Sequence, residues 1–199
     1  MMPLVLSHQD PDIHGAVASV LAAGGTMIFP TDTIYGIGGN PWDARTTARV
    51  RALKQRSEQQ PLTLHLSSLS SIEQYALVAP RWTQAIHRLL PGPVTVLLPA
   101  HSAAPPATVR NGTVGLRVPD HPFFSDVLRQ PVFGTSVNRH GEPPMNDVDR
   151  IIDAFPSVDL IVTGPVSGTS SAIVDLRTES YRVLRGTLSP AAQRALEQE

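Results

Sequence analysis

The run DPDIHGAVASVLAAGGTMIF, residues 10–29, contains the change of period that decides the fold. Asp10 followed by Pro11 reads as a helix start, an N-cap with proline at the first helical position. Ile13, Val17, Val20 and Leu21 then share one face at helical spacing. Gly24 and Gly25 stop the helix, and residues 26–29 form a short apolar strand. The same alternation recurs outward from this unit. Residues 30–39 read as a loop, and Asp43 caps a second helix that runs to about Lys54. Leu62, Leu64 and Leu66 alternate with Thr63 and His65, a strand with one apolar face. Trp82, Ala85, Ile86 and Leu89 mark a helix, residues 94–98 and 113–118 strands, and Pro122 opens a helix through Leu128. Strands follow at 132–135, 160–163, 172–176 and 181–184, before a last helix starting at Ser189 and Pro190. Alternating helices and strands predict an α/β layered fold on a mixed sheet. The last strands follow one another without a helix, so part of that sheet should be antiparallel.

The 199 residues suit one domain, residues 1–199, with no linker, repeat or low-complexity block. Hydrophobic residues make up 41% and charged residues 17%, a globular composition. The net charge of −1 provides no global basic field for nucleic acid. The absence of cysteine excludes disulfides, iron–sulfur sites and thiol nucleophiles. No Lys or Arg precedes Arg45, so the basic region of a signal peptide is missing, and no apolar run approaches membrane-span length. A cytoplasmic location is expected.

Several common motifs are absent. There is no GxxxxGK[ST] and no HExxH, and the third glycine of a GxGxxG starting at Gly36 falls on Pro41. Six polar clusters instead sit beside predicted strands. The first is PTDTIYGIG, residues 30–38, where Thr31 and Thr33 offer hydroxyls, Asp32 a carboxylate and Tyr35 a phenol. The second is Lys54-Gln55-Arg56 with His65 on the next strand. Lys54 is the only lysine, every other basic residue being arginine, and lysine is the compact point charge suited to phosphate. The third is the strand with Thr113 and Arg117. Flanked by Leu116 and Val118, Arg117 should be buried, so it has either an acidic protein partner or an anionic ligand. The others are the loop with Ser136, Asn138 and Arg139, the pair Ser170-Ser171 before the strand with Asp175, and Leu184-Arg185-Gly186. Taken singly, each is an ordinary turn or strand end. In α/β sheets ligands bind where such loops converge.

In this order and spacing the clusters resemble the YrdC family of threonylcarbamoyl-AMP synthases, from about Ala23 to Gly186. PTDTIYGIG resembles PT[DE]TxYGLG, and Lys54 to His65 resembles KxRPxxxPLxxH. Leu90 to Thr95 resembles WPGPxT and Leu116 to Pro119 the xRxP strand. Thr135 to Asn138 resembles [PT]SAN, Ser171 to Asp175 STxxD, and Leu184 to Gly186 LRxG. The chain departs from the pattern at Ser57, Val137 and His140. The resemblance implies a YrdC-like twisted mixed sheet with flanking helices in a single domain. It also implies that L-threonine, bicarbonate and ATP react to give threonylcarbamoyl-AMP and pyrophosphate, a nucleotidyl transfer that serves tRNA modification. Tying its site residues to this chain, Lys54 and Arg56 act as catalytic cations. Thr31, Thr33, His65 and Arg117 hold threonine and its carbamate. Lys54, Arg56, Thr113, Ser136, Asn138, Ser171 and Arg185 hold the nucleotide. Mg²⁺ accompanies ATP, with no ligands from protein side chains, and tRNA threonylcarbamoyl transferase proteins are downstream partners. The alternative is a YrdC-like paralogue that binds nucleotide or double-stranded RNA without synthase activity. Its support is Val137, His140 and the helix arginines Arg45, Arg49 and Arg51.

Overall fold

The computed structural model describes residues 2–55, 62–139 and 141–197. Its strands are β1 (Leu4–Ser7), β2 (Thr26–Phe29), β3 (Gly36–Gly39), β4 (Thr63–His65), β5 (Val94–Pro99), β6 (Val109–Arg110), β7 (Thr113–Arg117), β8 (Val132–Ser136), β9 (Leu160–Thr163), β10 (Ala172–Asp175) and β11 (Arg182–Arg185). Its helices are α1 (Ile13–Ala22), α2 (Ala44–Lys54), α3 (Ile72–Tyr75), α4 (Pro80–Leu89), α5 (Val148–Ala154) and α6 (Pro190–Glu197). The strands form one sheet in the order β1-β9-β2-β3-β8-β4-β7-β5-β10-β11, with β6 paired to β7. Pairs β1–β9, β2–β9, β4–β7 and β5–β10 are parallel and the others antiparallel, including β10–β11. The mixed sheet expected from the sequence is therefore present. None of the described helices is long and apolar enough to cross a membrane.

Alternation along the strands sends neighbouring side chains to opposite faces. Met27 and Phe29 of β2 meet Ile13, Val17 and Leu21 of α1, while Ile28 between them packs with Val50 of α2 and Ile151 of α5. Farther along the sheet, Leu64, Leu116, Val96 and Val174 form a cluster with Trp82, Ile86 and Leu89 of α4 and Leu196 of α6. Each such buried side chain contributes roughly 1.5–3 kcal/mol. The cavity opens on the face opposite this last cluster, the face that α1 covers farther along at β2.

Strands β1 and β6 and helices α3 and α5 are not expected from the sequence, and three of the expected elements take another form. Helix α1 begins at Ile13, not at Pro11. Asp10 is drawn into a tight turn, accepting the Asp12 N–H on Oδ1 at 2.9 Å, so it cannot cap the helix. The second half of the expected loop at 30–39 is strand β3. Its glycines obscure it, because glycine is depleted in strands. Here close packing demands them: a Cβ on Gly38 would fall 1.7 Å from the Phe133 carbonyl oxygen. Residues 123–127 form a π-helical turn in place of a regular helix. Asp43, by contrast, caps α2 as expected, accepting from the N–H groups of Arg45 and Thr46.

Candidate functional site

Five strands build the floor of a cavity of about 920 Å³. Gly36 pairs with Ser136, Gly134 with Thr63, Thr63 with Gly115, and Gly115 with Leu97. These residues share the sheet face on which Phe29 packs, beyond the part that α1 covers. The described cavity wall carries five basic side chains, Lys54, Arg110, Arg117, Arg177 and Arg185, against one carboxylate, Glu142. A protein with a net charge of −1 has thus concentrated cations at one place. Such a pocket suits an anionic ligand.

The register divides the cavity into two ends. At the C-terminal end of β7, His65 pairs with Arg117, with Thr95, Ser171 and Arg185 nearby. At the other end stand Thr113, Arg110 and Arg177 and, across β4, Ser136 with Lys54. Along β7 the ends are about 13 Å apart. Ser171 and Arg185, grouped with the nucleotide residues from sequence, therefore stand beside Arg117 and away from Lys54.

Arg117 is buried and fixed on three sides. Nη2 forms an ion pair with Asp32 Oδ1 at 2.6 Å, Nη1 donates to Thr33 Oγ1 at 2.8 Å, and Nε donates to the Gly92 carbonyl at 3.3 Å. The acidic protein partner left open by the sequence is thus Asp32. Three of the five guanidinium N–H groups are occupied by these bonds, and two remain for a ligand. Burial draws its pKa down, opposed by Asp32, and Arg185 adds like-charge repulsion. The carboxyl of Asp32 is pushed up by burial despite Arg117. Burial, and then the Arg117 charge, drive the His65 pKa down to about 3, so the ring is neutral. Its Nδ1 lies 3.2 Å from the Thr63 carbonyl oxygen. A carbonyl only accepts, so Nδ1 carries the proton and Nε2 is the acceptor. Phe29 and Phe124 wall the ring at 5.8 and 5.9 Å.

Thr31 lines the cavity, and the hydroxyls of Thr31 and Thr33 are both tied into the loop. Thr31 Oγ1 donates to the Ile34 carbonyl and accepts from the Thr33 and Ile34 N–H groups. Thr33 Oγ1 then donates to Thr31 Oγ1 and accepts from Arg117. Both hydroxyl protons are committed to shaping the loop. Neither is left to donate to a substrate, and Thr33 reaches the cavity only through Arg117.

At the other end, the Lys54 ammonium donates to the Ser136 carbonyl and to Asn138 Oδ1, the latter at 2.7 Å. Ser136 Oγ donates to the same Oδ1 at 2.6 Å, and Asn138 Nδ2 binds the Arg139 and Glu142 carbonyls. The lone lysine is thus pinned, nearly fully buried, at the cavity edge. Arg56, Ser57 and His140 lie outside the described residues. Val137 does not enter the cavity. Its side chain is buried in the core with Tyr35, Phe133 and Ile151, so that departure from the pattern is a packing change. Of the α2 arginines, Arg45 is ion-paired with Asp43 and Arg49 with Asp159. Those contacts give the face a local structural use apart from RNA.

Sequence reasoning overlooked Arg110, Arg177 and Thr95 in the cavity wall. Thr95 was visible only as part of a turn motif. The other two are exposed arginines without a motif.

An α/β domain with a cation-lined cavity on one face of its sheet is the class these features define. The chain belongs to the Sua5/YciO/YrdC family, whose model, described as "Telomere recombination", matches residues 19–187. It is 34% identical to the threonylcarbamoyl-AMP synthase of Stutzerimonas stutzeri, over 81% of this chain and 91% of that one. To the synthase of Hydrogenovibrio crunogenus it is 32% identical, covering 85% and 95%. Among solved structures it resembles Pyrococcus abyssi Sua5 in complex with L-threonine, at 25% identity and a TM-score of 0.83, over 93% of this chain and 57% of that one. Escherichia coli YciO, 22% identical, shares the fold with a TM-score of 0.84 over 97% and 98%.

Proposed function

We propose that this protein is an L-threonylcarbamoyladenylate synthase, a nucleotidyltransferase acting in the cytoplasm on L-threonine, bicarbonate and ATP. The observation that carries this reading is the two-ended cationic cavity, with a buried arginine and a neutral histidine on adjacent strands at one end and the pinned Lys54 at the other. Curated relatives named as this synthase support it, as does the threonine complex of a structural neighbour.

In the reaction, the threonine amine combines with bicarbonate to give a carbamate and water. A carbamate oxygen attacks the α-phosphorus of ATP, the bond to the β-phosphate oxygen breaks, and pyrophosphate leaves. The two N–H groups of Arg117 not used by protein suit a carboxylate. His65 Nε2 suits a proton on the threonine amine or hydroxyl. Thr31 and Thr33 act here by fixing Arg117. Arg185 and Ser171, beside Arg117, would bring a positive charge and a hydroxyl to the carbamate. Lys54, with Arg56, would neutralise the polyphosphate, with Ser136, Asn138 and Thr113 along its path. Mg²⁺ would enter on the triphosphate and spread its charge. Its ligands would be phosphate oxygens, as expected from the sequence, with Glu142 the one carboxylate of the described wall of the hard type it accepts. No side-chain nucleophile is needed, since positioning and charge stabilisation supply the catalysis. The product would pass to tRNA threonylcarbamoyl transferase proteins. The test is pyrophosphate release from ATP with Mg²⁺. Release that requires both L-threonine and bicarbonate is expected, and release indifferent to threonine would reject the reading.

A further inference from the structure

Arg177, like Arg110, is a cavity residue that neither the sequence motifs nor the mechanism above uses. It follows β10 and is held along its edge. Nε donates to Asp175 Oδ1 at 2.8 Å, Nη2 to Asp175 Oδ2 at 2.6 Å, and Nη1 to Thr113 Oγ1 at 2.9 Å. Asp175 is itself nearly buried, and it also accepts the Arg177 backbone N–H at 3.1 Å. A guanidinium already paired bidentately with a carboxylate has little charge or donor edge left for a phosphate. What remains is its plane. The side chain is 41% exposed and lines the cavity. Arginine planes stack on aromatic faces.

The surroundings suit a flat ring. The register sets Asp175 beside Leu97, Leu97 beside Gly115, and Gly115 beside Thr63. Gly115 puts no side chain on the floor between Leu97 and Thr63, and a Cβ there would lie 3.2 Å from Leu97 Cδ2. Asn111, in the left-handed region at φ 48°, brings an amide to the same wall, offering both donor and acceptor. Thr113, which anchors Arg177, is two strands from the Ser136 carbonyl that anchors Lys54. That separation is about 10 Å.

We propose that Arg177, locked by Asp175 and Thr113, is the stacking platform for the purine base of the nucleotide. The base lies over Gly115 and Leu97, and the phosphates run from there toward Lys54. This inference deepens the synthase reading and rests on it for the nucleotide. It assigns base recognition to a residue outside the polyphosphate contacts.

The experiment measures, by calorimetry, the binding of MgATP, MgCTP and magnesium tripolyphosphate to the wild type, Arg177→Lys and Arg177→Ala. Lysine keeps a cation for Asp175 and loses the plane, so Arg177→Lys decides the matter should Arg177→Ala fail to fold. The expected result is about a tenfold loss of ATP affinity in Arg177→Lys, from lost base stacking. Tripolyphosphate binding should be unchanged and the preference for ATP over CTP reduced. ATP binding as tight as wild type in Arg177→Lys, or equal losses for ATP and tripolyphosphate, would overturn the platform. So would wild-type protein that binds tripolyphosphate as tightly as ATP. Pyrophosphate release indifferent to threonine, alongside the expected ATP loss, would reject the synthase reading and leave the platform standing.

Discussion

The two ends of the cavity are built by opposite strategies. Around Arg117 the site is buried and already satisfied by protein groups: Asp32, Thr33 and Gly92 fix the guanidinium, and two phenylalanines wall a neutral histidine. Around Lys54 the groups come from loops and strand ends, and Arg110, Asn111 and Arg177 stand in the open wall. A rigid, dry end discriminates a small ligand by shape and by a few fixed hydrogen bonds. An open cationic end accommodates a long, hydrated polyanion. The contrast therefore matches an amino acid at one end and a nucleotide at the other.

Substitutions at each end test that division. The largest effect is expected for Arg117→Ala, which strands Asp32, a carboxylate whose side chain is 13% exposed, without its partner. A stability loss of about 3–5 kcal/mol is expected in denaturant titration. In the protein that remains folded, threonine binding should weaken more than ATP binding. Equal weakening of both ligands would break the comparison. Lys54→Ala should fold and lose on the order of 10²-fold in rate, about 3 kcal/mol of transition-state stabilisation. Pyrophosphate release measures it, and full activity would remove the cation from the mechanism.

A pH dependence, small near neutrality, sharpens the picture of the dry end. The folded-state pKa of His65 is depressed to about 3, below its ordinary value of 6.5. The unfolded chain therefore binds a proton that the folded protein refuses. Stability from the neutral ring is fully present above pH 6.5 and is lost as pH falls toward 3. Denaturation curves of the wild type and His65→Gln should accordingly diverge across that window. Parallel curves would mean that the ring is hydrated and protonates normally.

Much of this was legible in the sequence, for identifiable reasons. The helix containing Ile13, Val17 and Leu21 and the strand after Gly25 declare themselves by period. Lys54 stood out because it is the only lysine, and Arg117 because its neighbours in the strand are apolar. What stayed hidden depends on contacts between distant segments. Strand β3 is glycine-rich because Phe29 crowds Gly36, Phe133 of β8 crowds Gly38 and Thr46 of α2 crowds Gly39, a fact that no local pattern carries. The edge strand β1 is short and mostly exposed, and it exists through its parallel pairing with β9. The partnership of Asp32 with Arg117 spans 85 positions. The split of the candidate residues into two ends, with Ser171 and Arg185 beside Arg117, follows from strand order alone. Arg177 looked like any surface arginine until Asp175 and Thr113 were seen to hold its edge.

The central claim is that one cavity joins threonine, bicarbonate and ATP. Mass spectrometry of the reaction with isotopically labelled bicarbonate tests it most directly. The account predicts threonylcarbamoyl-AMP carrying a single labelled carbon, formed only when all three substrates are present. Purified, folded protein that binds ATP and threonine yet forms no labelled adenylate would contradict it.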